Sequence, residues 1–257
     1  MKFVDTHTHL FAKEFDNDIN VVVENAISNG IEKMLLPNID SSTTKAMINL
    51  CKQYPNNCHP MIGLHPCSVK KENIKEEIEH ILDELKKNSF VAIGEIGIDL
   101  YWDKTTLDIQ KEAFETQVKI AKERNLPIVI HTRNSFEEAY KIVEKLNDKN
   151  LSGVFHCFSG NLDDAKKIIE LENFYLGIGG VVTFKNGGID KIINQISLEH
   201  LILETDSPYL TPVPNRGKRN ESKHILDIAK KLSEIYEVSI NDISKKTTHN
   251  ANKLFKL

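Results

Sequence analysis

Six side chains able to ligate a metal recur along the chain at the ends of short apolar runs. They are His7 and His9 in Asp5-Thr6-His7-Thr8-His9, then Glu95, His131, His156 and Asp206. In an extended segment, residues two apart project to the same side, so His7 and His9 can grip one ion together. H-x-H alone is a weak pattern, since two incidental histidines in a turn would look the same. Four further ligands at the same kind of position argue for a metal site. Four imidazoles and two carboxylates exceed what one tetrahedral ion needs, and a carboxylate can bridge where an imidazole cannot. The expected arrangement is two divalent ions per chain: His7, His9 and Asp206 on one, His131 and His156 on the other, with Glu95 bridging. Mixed nitrogen and oxygen donors suit Zn²⁺, Mn²⁺ or Co²⁺, and Mg²⁺ at weaker affinity, without choosing among them. Such an ion pair lowers the pKa of a shared water and neutralises charge on a leaving oxygen, which is hydrolytic chemistry. Asp206 and Glu95 are the candidate catalytic carboxylates. Asp206 either ligates only or also accepts the proton of the attacking water.

Residues so far apart in sequence need a frame that brings them together. Candidate strands are Phe3–Asp5, Met34–Pro37, Pro60–Leu64, Val91–Glu95, Ile128–His131, Gly153–His156, Phe174–Gly177 and Leu201–Glu204. They are short and mostly lack polar alternation, as suits a sheet buried on both faces. Helical patterns lie between them, clearest over Thr105–Arg124, where Leu107, Phe114, Val118 and Ala121 recur on one face. Ser41 and Ser42 before one helix, and Asn134 and Ser135 before another, are candidate caps. Eight strands alternating with helices predict an α/β fold, a (β/α)₈ TIM barrel forming a single domain over residues 1–257. On this map Glu95 ends the fourth strand, and all six ligands gather at the carboxyl mouth. An open doubly wound sheet is the rival, weakened because no G-x-G-x-x-G follows the first strand.

Composition bounds the partners. The 257 residues carry 33 Lys and Arg against 37 Asp and Glu, a net charge of −4, with 40% hydrophobic residues. No global cationic field exists, so a polyanion would have to be held by a local basic patch or by metal. Charge in Met1-Lys2-Phe3-Val4-Asp5 interrupts any secretory signal, and no window approaches a membrane span. Cys51, Cys58, Cys67 and Cys157 lack C-x-x-C spacing and read as reduced thiols, so the expected compartment is the cytoplasm. Neither a membrane nor an obligate protein partner is indicated.

Five segments together resemble the TatD family of metal-dependent deoxyribonucleases. They are Val4-Asp5-Thr6-His7-Thr8-His9-Leu10, Ile93-Gly94-Glu95-Ile96-Gly97-Ile98-Asp99, Pro127-Ile128-Val129-Ile130-His131-Thr132-Arg133, His156-Cys157-Phe158-Ser159-Gly160 and Leu203-Glu204-Thr205-Asp206-Ser207-Pro208-Tyr209-Leu210. The likeness spans nearly the whole chain in the family's order. It implies a barrel of the amidohydrolase superfamily, divalent metal, and hydrolysis of phosphodiesters in DNA, often by trimming single strands from the 3′ end. Related phosphotriesterase-like barrels bridge with a carboxylated lysine, whereas Glu95 needs no modification and favours the nuclease branch. The resemblance also places His65, in Gly63-Leu64-His65-Pro66, in the substrate pocket as a donor to phosphate, against its reading as an ordinary loop histidine.

Other candidates are local. Arg133 can hold a phosphate bidentately, cap the next helix or pair with a surface acid. Pro214-Asn215-Arg216-Gly217-Lys218-Arg219-Asn220 is the dense basic loop near the expected mouth, with Arg216 and Asn220 as substrate contacts or simply a solvated loop. Ser222 stands where the family is expected to carry proline, which bears on the shape of that loop. Tyr101 and Trp102, the sole tryptophan, can stack on an unpaired base or pack as core or lid. Asp99 and Glu204 are expected to orient imidazoles, and the remaining histidines read as structural or solvent-facing. The leading expectation is hydrolysis of DNA. The alternative keeps the metals but takes a small ester, lactone, amide or phosphotriester, and a third reading is a metal-stabilised binding protein without catalysis.

Overall fold

Each apolar run becomes a parallel strand. In the computed structural model, which describes residues 1–257, the strands are β1 (Phe3–Asp5), β2 (Ile31–Pro37), β3 (Cys58–Met61), β4 (Ile93–Asp99), β5 (Ile128–Arg133), β6 (Gly153–Phe155), β7 (Phe174–Ile178) and β8 (Leu201–Leu203). The helices are α1 (Ile19–Ser28), α2 (Ser41–Gln53), α3 (Ile74–Lys87), α4 (Leu107–Arg124), α5 (Phe136–Leu146), α6 (Leu162–Glu170), α7 (Ile189–Ile193), α8 (Ile225–Tyr236) and α9 (Ile240–Phe255). Ladders run β1-β2-β3 and β4-β5-β6-β7-β8. Parallel bridges Ile62↔Ile93 and Thr8↔Ser207 close the two seams, reinforced by bonds from Gly94 N to Ile62 O (2.8 Å) and Thr6 N to Leu203 O (3.0 Å). Every strand thus neighbours its successor and the last rejoins the first, giving the (β/α)₈ barrel and no open doubly wound edge.

Val4, Leu35, Met61, Ala92, Val129, Val154, Tyr175 and Ile202, one from each strand or its entry, meet in a buried apolar layer that fills the barrel. Ala251, Leu254 and Phe255 of α9 plug this layer from the amino end, where Ser244 and Thr248 bond the Lys2 carbonyl at 2.7 and 2.8 Å. With the amino end sealed, the carboxyl ends of the strands are left to carry chemistry. A larger cluster packs the helices onto the outside of the sheet.

Three local expectations are corrected. β4 runs on to Asp99, so Glu95 lies within the strand instead of ending it. The cap of α2 is Asp40, whose carboxylate accepts from Ser42 N at 3.0 Å while Thr43 returns the bond, and Ser41 and Ser42 are already helical. Ser135 precedes α5 but makes no capping bond, because its hydroxyl donates to the Ile98 carbonyl of β4 and accepts from Arg133 N at 3.1 Å. Gly97 sits at φ 144° against the His131 backbone, where a Cβ would collide with the carbonyl. Only glycine lets β4 approach β5 so closely there.

Candidate metal centre

The barrel brings all six expected ligands to one place. His7 Nε2 and His9 Nε2 are 3.3 Å apart, and both face Glu95 Oε2, at 3.2 and 3.5 Å. Asp206 Oδ1 stands 3.7 Å from His7 Nε2 and 3.5 Å from His9 Nε2. Donors around a tetrahedral ion with arms of about 2.0–2.2 Å lie about 3.3–3.6 Å apart, which these separations approach. The other carboxylate oxygen, Glu95 Oε1, faces a second set: His131 Nδ1 at 2.8 Å and His156 Nε2 at 2.9 Å, themselves 3.4 Å apart. The stacked rings of His7 and His156, 3.9 Å between centroids, join the two sets. Glu95 offers one oxygen to each side, but the donors also group across that division, His156 with His7 and Asp206, and His65 with Glu95 and His131.

Two imidazole nitrogens facing each other among carboxylates, out of water, suit a cation between them better than they suit one another. Electrostatics say the same. Burial alone would push the Glu95 carboxyl up, but the imidazoles of His156, His65 and His7 hold it well below the usual carboxylate range. At His9, burial opposes protonation and the carboxylates of Asp206 and Glu95 overcome it, raising the imidazolium to about 9. At His7 burial dominates, with the His156 charge adding to it, and the pKa falls. The residues present fit divalent metal.

Partners behind the ligands fix their orientation. Asp99 Oδ2 lies 2.9 Å from His131 Nε2, leaving Nδ1 for the site. Glu204 Oε1 approaches His156 Nδ1 at 3.3 Å and accepts from Cys157 N. Asp99 thus orients His131 as expected from the sequence, whereas Glu204 lies beside His156 without a hydrogen bond to it and is tied instead to the Cys157 backbone. His65 accepts from Cys67 N through Nδ1 (3.1 Å), so its Nε2 carries the proton and points at Glu95 Oε1, 3.5 Å away. That tautomer makes His65 a donor into the site.

Other supports were missed. Asp5 is fully buried and accepts from Thr205 N (2.8 Å) and Thr205 Oγ1 (2.6 Å), clamping the segment that carries Asp206; burial pushes its carboxyl up to about 7 against those bonds. Gln117 brackets the Leu64 backbone beside His65, accepting from N at 2.7 Å and donating to O at 3.2 Å. Gln110 does the same for Asp99, at 2.8 and 3.0 Å. The signal was present: both glutamines share the apolar face of α4 with Phe114 and Ala121, where an amide has no reason to be unless it reaches backbone.

The rim corrects part of the substrate assignment. Asn220 is completely buried, donating to Thr205 O (2.8 Å) and Tyr209 O (2.6 Å) and accepting from Glu221 N (2.9 Å). It braces the Asp206 loop and has no polar atom left for a ligand. Arg219 in the same loop is held bidentately by Asp18 at 2.8 and 2.7 Å. Ser222 is buried with its hydroxyl 3.4 Å from Thr8 Oγ1, so the loop turns inward where proline was expected. Arg216 is exposed, 3.7 Å over the Phe184 ring beside a hollow of about 430 Å³ lined also by Lys185 and Asn186. Arg133 is exposed, 3.7 Å over the Tyr101 ring. Neither arginine has a carboxylate partner. Tyr101 and Trp102 are exposed, not core.

Comparisons with known proteins agree with this geometry. The sequence profile of the family described as "TatD related DNase" matches residues 4–256. The chain is 37% identical over 254 residues to the metal-dependent hydrolase YabD of Bacillus subtilis (strain 168), covering 98% of each. It is 34% identical to a metal-dependent hydrolase of Buchnera aphidicola subsp. Acyrthosiphon pisum, over the full length of both. The crystal structure of YJJV, a TatD homologue from Escherichia coli k12, superposes with a TM-score of 0.92 at 25% identity, covering 99% of this chain and 98% of that one.

Proposed function

The chain belongs to the TatD family of metal-dependent hydrolases, and from that premise we propose that the ester bonds it hydrolyses are phosphodiesters of DNA. Our reading is a 3′–5′ exonuclease on single strands using two divalent ions, the polarity following the family resemblance. The observation that carries it is a two-sided donor cluster beneath a rim with two arginines, Arg133 and Arg216, that no carboxylate neutralises. A small neutral ester has no use for these cations, whereas successive phosphates do.

His7, His9 and Asp206 would hold one ion, His131 and His156 the other, and Glu95 both. Mg²⁺, Zn²⁺, Mn²⁺ and Co²⁺ are all compatible with the donors. Bound there, divalent ions supply Lewis acidity and a water acidic enough to attack at neutral pH. Asp206 is the more open carboxylate, its side chain 14% exposed against 3% for Glu95, which supports its reading as acceptor of the attacking water's proton. Its φ of 57° is a left-handed conformation that the Asn220 and Asp5 braces hold in place. His65 donates from Nε2 to a phosphate oxygen, and Arg133 and Arg216 fix the neighbouring backbone. The four unpaired cysteines are in keeping with a reducing compartment, and we assign the cytoplasm. No helix is long and apolar enough to cross a membrane.

The test is direct. Chelated protein should leave an end-labelled single strand intact, and reloading with each ion in turn should restore stepwise shortening from the 3′ end. Metal-loaded protein that spares DNA but hydrolyses a small ester or phosphotriester would overturn the substrate assignment and leave the donor cluster standing.

A further inference from the structure

Resting on the deoxyribonuclease reading, we propose that Tyr101, Trp102 and Arg133 form a receptor for one unpaired nucleobase and its phosphate, so that the protein engages single-stranded DNA by base stacking beside the His131 corner of the site. Tyr101 is 52% exposed and Trp102 73% exposed, with ring centroids 4.9 Å apart and planes at 90°. Neither ring belongs to an apolar cluster. Two large rings left in water beside Arg133, with Tyr209 (54% exposed) likewise open near His9, point to a ligand with a flat apolar face.

Arg133 supplies the other half of a nucleotide. It lies two residues beyond His131, and its guanidinium carbon sits 3.7 Å above Tyr101 and 5.5 Å from Trp102. Held over a ring and with no carboxylate partner, its guanidinium keeps donors available for a phosphate. Most basic side chains near the Arg219 corner are already paired, as Arg219 is to Asp18 and Lys223 to Glu221. Arg133 is not.

The receptor is rigidly tied to the chemistry. Asp99 touches His131 Nε2 with one carboxylate oxygen and accepts from Tyr101 N at 2.9 Å with the other. Gln110 holds the Asp99 backbone from behind. One carboxylate therefore sets both the imidazole that faces Glu95 and the start of the aromatic segment. Only an unpaired base offers its face to such a platform, because in a duplex both faces are stacked. Stacking tolerates any base, so the device selects strandedness without reading sequence.

Trp102 is the sole tryptophan and reports on the experiment. With metal removed so that nothing is cleaved, a thymidine decanucleotide is titrated against a decamer of equal charge lacking bases, following tryptophan emission and anisotropy of a label on the oligonucleotide. The expected result is saturable quenching of Trp102 by the thymidine strand, which binds about tenfold more tightly than the abasic one. Tyr101→Ala and Trp102→Ala should close that gap, and Trp102→Phe should keep it. Equal binding of the two strands, or unchanged Trp102 emission with the thymidine strand bound, overturns the proposal even if DNA is hydrolysed. Failure to bind either strand, together with failure to shorten DNA when loaded with metal, overturns the deoxyribonuclease reading as well.

Discussion

Glu95 presents Oε2 to His7 and His9 and Oε1 to His131 and His156, so a single buried side chain serves both halves of the donor cluster. An amide keeps the shape but replaces one acceptor oxygen by a donor. Glu95→Gln is accordingly expected to abolish hydrolysis and to lower bound metal while the far-ultraviolet circular dichroism stays native. Near-stoichiometric metal at both positions in that variant would refute the bridging role. Asp99 acts at one remove, through His131 Nε2. Asp99→Asn should weaken metal affinity or turnover by about 10–100-fold. Its companion effect on the Tyr101 segment should appear as weaker binding of single strands by metal-free protein.

At the level of elements, the site is held by helices whose buried polar residues reach across to strand ends. Gln117 of α4 occupies both backbone groups of Leu64, and replacing it with leucine leaves them buried without partners. Gln117→Leu is expected to cost about 1–3 kcal/mol in urea unfolding and to impair turnover through misplacement of His65. The α2 cap contributes in a pH-dependent way. Burial would raise the Asp40 pKa, but bonds from Ser42 and Ser68 win and hold it below its ordinary value. A depressed carboxyl stabilises the fold above its unfolded pKa, and that contribution fades as pH falls through the folded value. Asp40→Ala should therefore lower stability by about 1 kcal/mol at neutral pH, with the difference from the parent shrinking below about pH 4. A difference that persisted unchanged into acid would refute the charge-based cap.

For the whole molecule, a net charge of −4 means that attraction to a polyanion must come from the mouth alone. Each phosphate contact on a single strand contributes about 0.7 to the slope of log affinity against log salt. Replacing Arg133 and Arg216 together by glutamine should lower that slope by about 1.4, measured with metal-free protein. Arg219→Gln should leave it unaltered, because Asp18 already neutralises that charge.

The six ligand positions and the barrel were legible in the sequence because strand ends in a (β/α)₈ fold share one mouth. Apolar runs of the right length mark those ends by local chemistry alone. Which donors share an ion is not legible there, because His156 groups with His7 and Asp206 as well as facing His131. What the sequence could not say is which polar residues face inward. Asn220 and Arg219 sit in a loop that reads as basic and solvated, yet one is buried against the Thr205 and Tyr209 carbonyls and the other is locked to Asp18. Arg133 and Arg216 look no different on paper and stand free on aromatic rings. Whether a side chain binds its own protein or a ligand depends on partners tens or hundreds of residues away, and only the closed barrel, by setting those distances, decides it.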